Sequence, residues 1–163
     1  MIRTLKDWKD AIRMDYRLYI LMRSDLFSMN PGRAMAQASH ASNAFIHEYG
    51  KLKLVKKWQK QTDQGFGTAI VLAADLQTIT NIFSRLKELK YETMGTVLDP
   101  DYVIPIPADI MPFLSDETQR THTFDPIDDG KRYLFHREEI TCAYIFGDKN
   151  QLSPFLGELP LHP

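Results

Sequence analysis

The stretch that most constrains this chain runs from Leu18 to Tyr49. Leu18, Tyr19, Ile20, Leu21 and Met22 form an unbroken apolar run, the pattern of a strand buried on both faces. Arg23, Ser24 and Asp25 end it. Asn30-Pro31-Gly32 is a strong turn signal. From Arg33 the chain changes to Ala34, Met35, Ala36, Gln37 and Ala38, a small-residue helical composition. Strand, loop and helix start bring backbone N–H groups and the Arg33 cation to one point, which suits an anionic ligand. Gln37 and His40 follow on the same helix at i and i+3. His40 reads either as a proton shuttle or as a histidine bonded between helix and sheet.

Later segments supply partners for that unit. Ala34, Ala38, Ala41 and Phe45 share one helix face, and Gly50 is a plausible stop. Residues 51–60, KLKLVKKWQK, hold five lysines and no acid. Leu52, Val55 and Trp58 recur every third residue there, so a short helix with a basic outer face is expected, with Lys53 and Lys57 on it. Thr68 to Ala74 reads as a second buried strand, and Asp75 as the N-cap of a helix ending near Lys90. Tyr91 to Leu98 reads as a third strand ending at Asp99, and Ile140 to Phe146 as a fourth. The fold class is α/β: a single three-layer α/β/α domain over residues 1–163, with helices on both faces of a four-stranded, mostly parallel (mixed) sheet. Residues 1–15, with Leu5, Trp8 and Ile12 at helical spacing, read as an N-terminal helical extension. Pro100, Pro105, Pro107 and Pro112 argue against a long regular element after Asp99. Residues 105–136 read as an insertion, either a lid over the site or a surface flap.

A chain of 163 residues, 44% of them hydrophobic, has enough material for one core. The single cysteine, Cys142, excludes an internal disulfide and a cysteine-based zinc site. It reads as buried and inert. His40 and His47 lack a carboxylate at metal-protease spacing, so neither a metal nor a cofactor is expected. No apolar run approaches the roughly 20 residues of a membrane span, and the first residues are too charged for a signal peptide. The expectation is a cytoplasmic protein with no membrane partner; monomer and homodimer both fit the sequence. The net charge of −1 conceals an asymmetry: residues 1–98 carry 15 Lys/Arg against 9 Asp/Glu, and residues 99–139 carry 4 against 10. A basic face of this kind suits a phosphate backbone, or is simply solvated surface.

Arg23, Asp25, Leu26, Met29, Gly32, Arg33, Ala36, Gln37, His40 and Ala41 together carry a resemblance. The segment resembles the type II, archaeal and eukaryotic-type, peptidyl-tRNA hydrolases. The resemblance covers about residues 16–104 and 138–162. It implies hydrolysis of the ester between a peptide and the 3′ end of tRNA, with peptidyl-tRNA as substrate and partner. It also implies site residues. The family's essential lysine falls on Arg33, its catalytic aspartate on Asp99, one threonine on Val103 and a second on Thr141. Asp99, Arg33 and Thr141 are therefore the expected catalytic residues. Asp25, Gly32, Gln37, His40, Lys53 and Lys57 are the expected substrate-binding residues. Arginine keeps the lysine's charge in a different shape, and valine cannot donate the threonine's hydrogen bond. Two alternatives accompany the hydrolase reading: a tRNA- or nucleotide-binding module with weakened catalysis, and a protein-interaction domain working through the acidic insertion.

Overall fold

The computed structural model describes residues 14–127 and 130–163. The expected N-terminal helix therefore lies outside the described residues. In chain order the elements are β1 (Tyr16–Arg23), α1 (Pro31–Tyr49), α2 (Lys53–Gln59), β2 (Ala69–Ala74), α3 (Leu76–Glu88) and β3 (Met94–Pro107). A 3-10 helix (Ala108–Phe113), α4 (Asp116–Thr121), β4 (Phe124–Pro126), β5 (Arg132–Asp148) and α5 (Lys149–Leu156) follow.

Local chemistry sets the helix ends. Asn30 caps α1 by accepting from the Arg33 N–H, with Pro31 at the first turn. Gly50 closes α1, where an added Cβ would lie 2.4 Å from the Ile46 carbonyl oxygen. Asp75 caps α3 by accepting from the Thr78 N–H at 2.7 Å.

The apolar run of β1 is buried on both faces because helices cover both. Leu18, Ile20 and Met22 pack with Phe45 and Ala41 of α1, Val55 and Trp58 of α2, and Phe146. Tyr19 and Leu21 pack on the other face with Ile79, Ile82 and Leu86 of α3 and with Leu152 and Leu156 of α5. Successive residues thus feed opposite cores, as the strand period requires. Among the described residues no helix is long and apolar enough to cross a membrane.

The sheet is mixed, with strand order β2-β1-β5-β3 and β4 added against β5. Among the described residues it has five strands rather than four, because a short strand forms inside the insertion. β1 and β2 pair parallel. β5 runs antiparallel between β1 and β3, so β1, β2 and β3 point the same way. Asp25 and Asp75 follow the carboxyl ends of β1 and β2, whereas Asp99 lies within β3, before the strand runs on to Pro107.

The prolines do not prevent a long element here. β3 continues to Pro107 and β5 begins at Arg132, so the core hairpin extends into an arm. The reason is register. The Ala108 N–H bonds back to the Lys131 carbonyl at 2.8 Å. Alternation then turns Pro105 and Pro107 outward on the sheet's edge, where no ladder N–H is needed. Stacking of Phe124 on Phe135, with ring centroids 4.9 Å apart, holds β4 to the arm.

Candidate active site

Two irregularities in the β3–β5 ladder flank Asp99. Val97 opposes Cys142 but Leu98 opposes Ile140, which leaves Thr141 as an extra residue on β5. Asp99 opposes Glu139 while Tyr102 opposes Arg137, so Pro100 and Asp101 bulge from β3. Bulges re-aim side chains beside sites, and both do so here.

Thr141, fully buried, donates from Oγ1 to Gln37 Oε1 at 2.7 Å. Gln37, also buried, donates from Nε2 to Asp99 Oδ2 at 2.7 Å. The chemistry fixes the direction of the chain: an ionised carboxylate only accepts, so the amide must present its NH2 to Asp99 and its oxygen to the hydroxyl. Asp99 Oδ1 accepts from the Asp101 N–H at 3.0 Å. Each carboxylate oxygen thus takes one protein donor and keeps a lone pair for a water. Beside this carboxylate is a cavity of about 400 Å³, lined by Gln37, His40, Ala44 and Thr96 to Pro100. His40 is exposed at this cavity. Among the described residues no cavity-lining residue comes from the arm.

Arg33 points at the root of the arm. Its Nη1 donates to the Val103 carbonyl at 2.6 Å and to the Ser28 carbonyl at 3.3 Å. Its guanidinium lies over the Tyr102 ring, 5.4 Å from the centroid. Among the described residues it has no carboxylate partner. The longer, planar side chain ties α1 to the segment that contains Val103, through that residue's backbone rather than through a side-chain hydroxyl. Gly32, exposed in the first turn of α1, would bring an added Cβ no closer than 3.4 Å to Asn30 Oδ1.

Asp25 is engaged within the fold. Arg23, 5% exposed, donates to both Asp25 oxygens at 2.6 and 3.0 Å. Its Nη1 also reaches Glu139 Oε1 and the Ile140 carbonyl, both at 2.8 Å. Burial opposes the Asp25 charge, but the Arg23 hydrogen bonds outweigh it and hold the carboxyl below its ordinary range. Arg23 therefore joins the end of β1 to the β5 segment that presents Thr141. The sequence marks it only as the charge that ends an apolar run; no spacing rule reaches Glu139.

The lysine helix lies elsewhere. Lys57 sits over the Tyr16 ring at 5.7 Å, at the beginning of β1, whereas Asp25 follows its end. Eight residues of strand at about 3.3 Å each separate the two by roughly 25 Å. Lys53 is exposed on the same helix and does not line the cavity. The structure thus brings Gln37, His40, Asp99 and Thr141 together, sets Arg33 beside them, and leaves Lys53 and Lys57 on another surface. Cys142 is buried, and burial pushes its thiol up to about 12, which makes it a packing residue.

A family model for peptidyl-tRNA hydrolase PTH2 matches residues 16–99, just over half of the chain. The chain belongs to this family. A search of curated proteins returns no match. The matched region begins at β1 and ends on Asp99. It contains Arg23, Asp25, Arg33, Gln37 and His40, while Thr141 and Glu139 lie beyond it. Membership carries peptidyl-tRNA hydrolase activity at the level of the family.

Proposed function

We propose that this protein hydrolyses the ester joining a peptide to the 3′ end of tRNA, with Asp99 as the group that activates water. The observation that supports this reading best is the hydrogen-bonded chain from Thr141 through Gln37 to Asp99 at the wall of a cavity. It orients a carboxylate with an unused lone pair on each oxygen toward space large enough for a reacting group.

The steps balance with few parts. Asp99 takes a proton from a water as the water's oxygen attacks the ester carbonyl. A tetrahedral intermediate forms. Its collapse breaks the bond to the ribose oxygen, which receives the proton back from Asp99. The products are tRNA with a free 3′ hydroxyl and a peptide carboxylic acid, which ionises by releasing water's second proton to solvent. Gln37 and Thr141 act as positioning residues. Arg33 supplies positive charge beside the site for the developing oxyanion or for a backbone phosphate. His40, at the cavity, contacts the terminal nucleotide. Asp25 supports the site through Arg23. As a protein that acts on tRNA, it works in the cytoplasm.

The test uses purified protein with N-acetyl-aminoacyl-tRNA and with unblocked aminoacyl-tRNA. The reading predicts release of the acetylated amino acid and little release of the free one. Equal cleavage of both, or of neither, would contradict it.

A further inference from the structure

Helix α1 and the outer edge of β3 run side by side in opposite directions. Tyr49 Oη donates to the Glu92 carbonyl at 2.8 Å and the Met94 carbonyl at 3.3 Å. Ala44 and Thr96 both line the cavity. Gln37 bonds Asp99, and Arg33 bonds Val103. A groove therefore follows the edge of β3 from Tyr49 to Arg33, and the cavity lies along it.

Among the described residues β3 is the last strand of the sheet on this side. Its backbone groups alternate between β5 and the groove. The Thr93 carbonyl accepts from the Phe146 N–H on the β5 side, whereas the Met94 carbonyl faces Tyr49. Thr96 faces the same way as Met94. Among the described residues its outward N–H and C=O meet no protein partner. Farther along, Pro105 and Pro107 hold outward positions and blunt the edge, as prolines do where pairing is unwanted. Beside the cavity, from Met94 to Asp99, there is no proline.

We infer that this open edge takes the peptide of the substrate as one added strand parallel to β3, bonded at the Thr96 N–H and C=O. The inference rests on the hydrolase reading and names the part of the site that holds the peptide. With the ester at Asp99, Thr96 lies three residues back, roughly 10 Å at about 3.3 Å per residue. The third residue from the ester is therefore the one opposite Thr96. Recognition through backbone groups is indifferent to peptide sequence, and Ala44, Val97 and Leu98 offer only apolar contact to side chains.

The experiment compares kcat/KM for tRNA carrying one N-acetylated residue with tRNA carrying an N-acetylated tripeptide. Two hydrogen bonds of ordinary net strength predict a preference for the tripeptide of roughly 5- to 150-fold. N-methylation of the second residue from the ester, whose N–H is the one a parallel strand presents to the Thr96 C=O, is expected on the wild-type protein to remove most of that preference. Thr96→Pro, which deletes an N–H that the ladder does not use, is expected to bring the ratio near one. Equal cleavage of both substrates, or a preference that survives N-methylation, overturns the groove and leaves the hydrolase reading intact. Cleavage of neither substrate overturns the hydrolase reading and the groove with it.

Discussion

Replacing Gln37 with leucine separates what the buried amide does for stability from what it does for the reaction. Leucine fills similar space and makes neither hydrogen bond. Thr141 is fully buried, and among the described residues its only other acceptor is the Val97 carbonyl at 3.5 Å, at the limit of a real bond. An unsatisfied buried hydroxyl costs about 1–3 kcal/mol, so Gln37→Leu should destabilise by about 2 kcal/mol. For a chain of this size that is a fall of roughly 4–8 °C in Tm. Adding Thr141→Val removes the orphaned hydroxyl as well. Replacing both partners with apolar groups is close to neutral, so the double variant should recover at least about 1 kcal/mol. Activity should not recover. Asp99 would still lack its Gln37 donor and keep only the Asp101 N–H, and a misplaced base costs roughly 10- to 100-fold in rate. Urea denaturation of the four proteins in the cycle and hydrolysis of N-acetyl-aminoacyl-tRNA measure the two effects. Additive stabilities with no recovery would refute the Thr141–Gln37 bond. Recovery of activity in the double variant would refute the claim that Gln37 positions Asp99.

Three further outcomes follow from the same contacts. Arg23→Met leaves Glu139, whose side chain is 11% exposed, with the more exposed Arg137 as its remaining cation, and should cost about 2 kcal/mol by denaturant titration. Asp25 is held below its ordinary range in the fold, so its contribution to stability is present at neutral pH. That contribution is lost as the pH falls through the lowered value, and urea midpoints should drop below about pH 4 in the wild type but much less in Arg23→Met. Ile104 opposes Phe135, so residues 105–134 can be replaced by an Asn-Gly hairpin turn; because none of the arm's described residues lines the cavity, hydrolysis should persist within a few-fold, and its loss would make the arm part of the site.

Much of this architecture is legible in local sequence. The run Leu18–Met22 announces β1 because both its faces are covered. Asn30, Asp75 and Gly50 mark helix ends because capping is a contact between near neighbours. Asp99 stands at the end of a readable apolar segment. What escapes local reading depends on register and on distant partners. The extra residue that turns Thr141 toward Gln37 exists only as a mismatch between β3 and β5. Pro105 and Pro107 look like strand breakers until alternation shows their nitrogens turned outward. Gln37 resembles an exposed polar residue on a small-residue helix, yet it is buried because the two strands facing it supply a donor, Thr141 of β5, and an acceptor, Asp99 of β3. Arg23 needs Glu139, which lies 116 positions away. The lysines of α2 are conspicuous in composition, but their place at the far end of β1 follows from how Trp58 enters the core.

The most direct measurement is single-turnover hydrolysis of N-acetyl-aminoacyl-tRNA by the wild type and by Asp99→Asn, with tRNA affinity measured on both. Asparagine keeps the shape and cannot take a proton from water. The predicted result is a fall in rate of at least roughly 100-fold, the scale of a lost general base, with affinity and stability near those of the wild type. An Asp99→Asn protein that cleaves at the wild-type rate would contradict the assignment of Asp99, and with it the site described around Gln37 and Thr141.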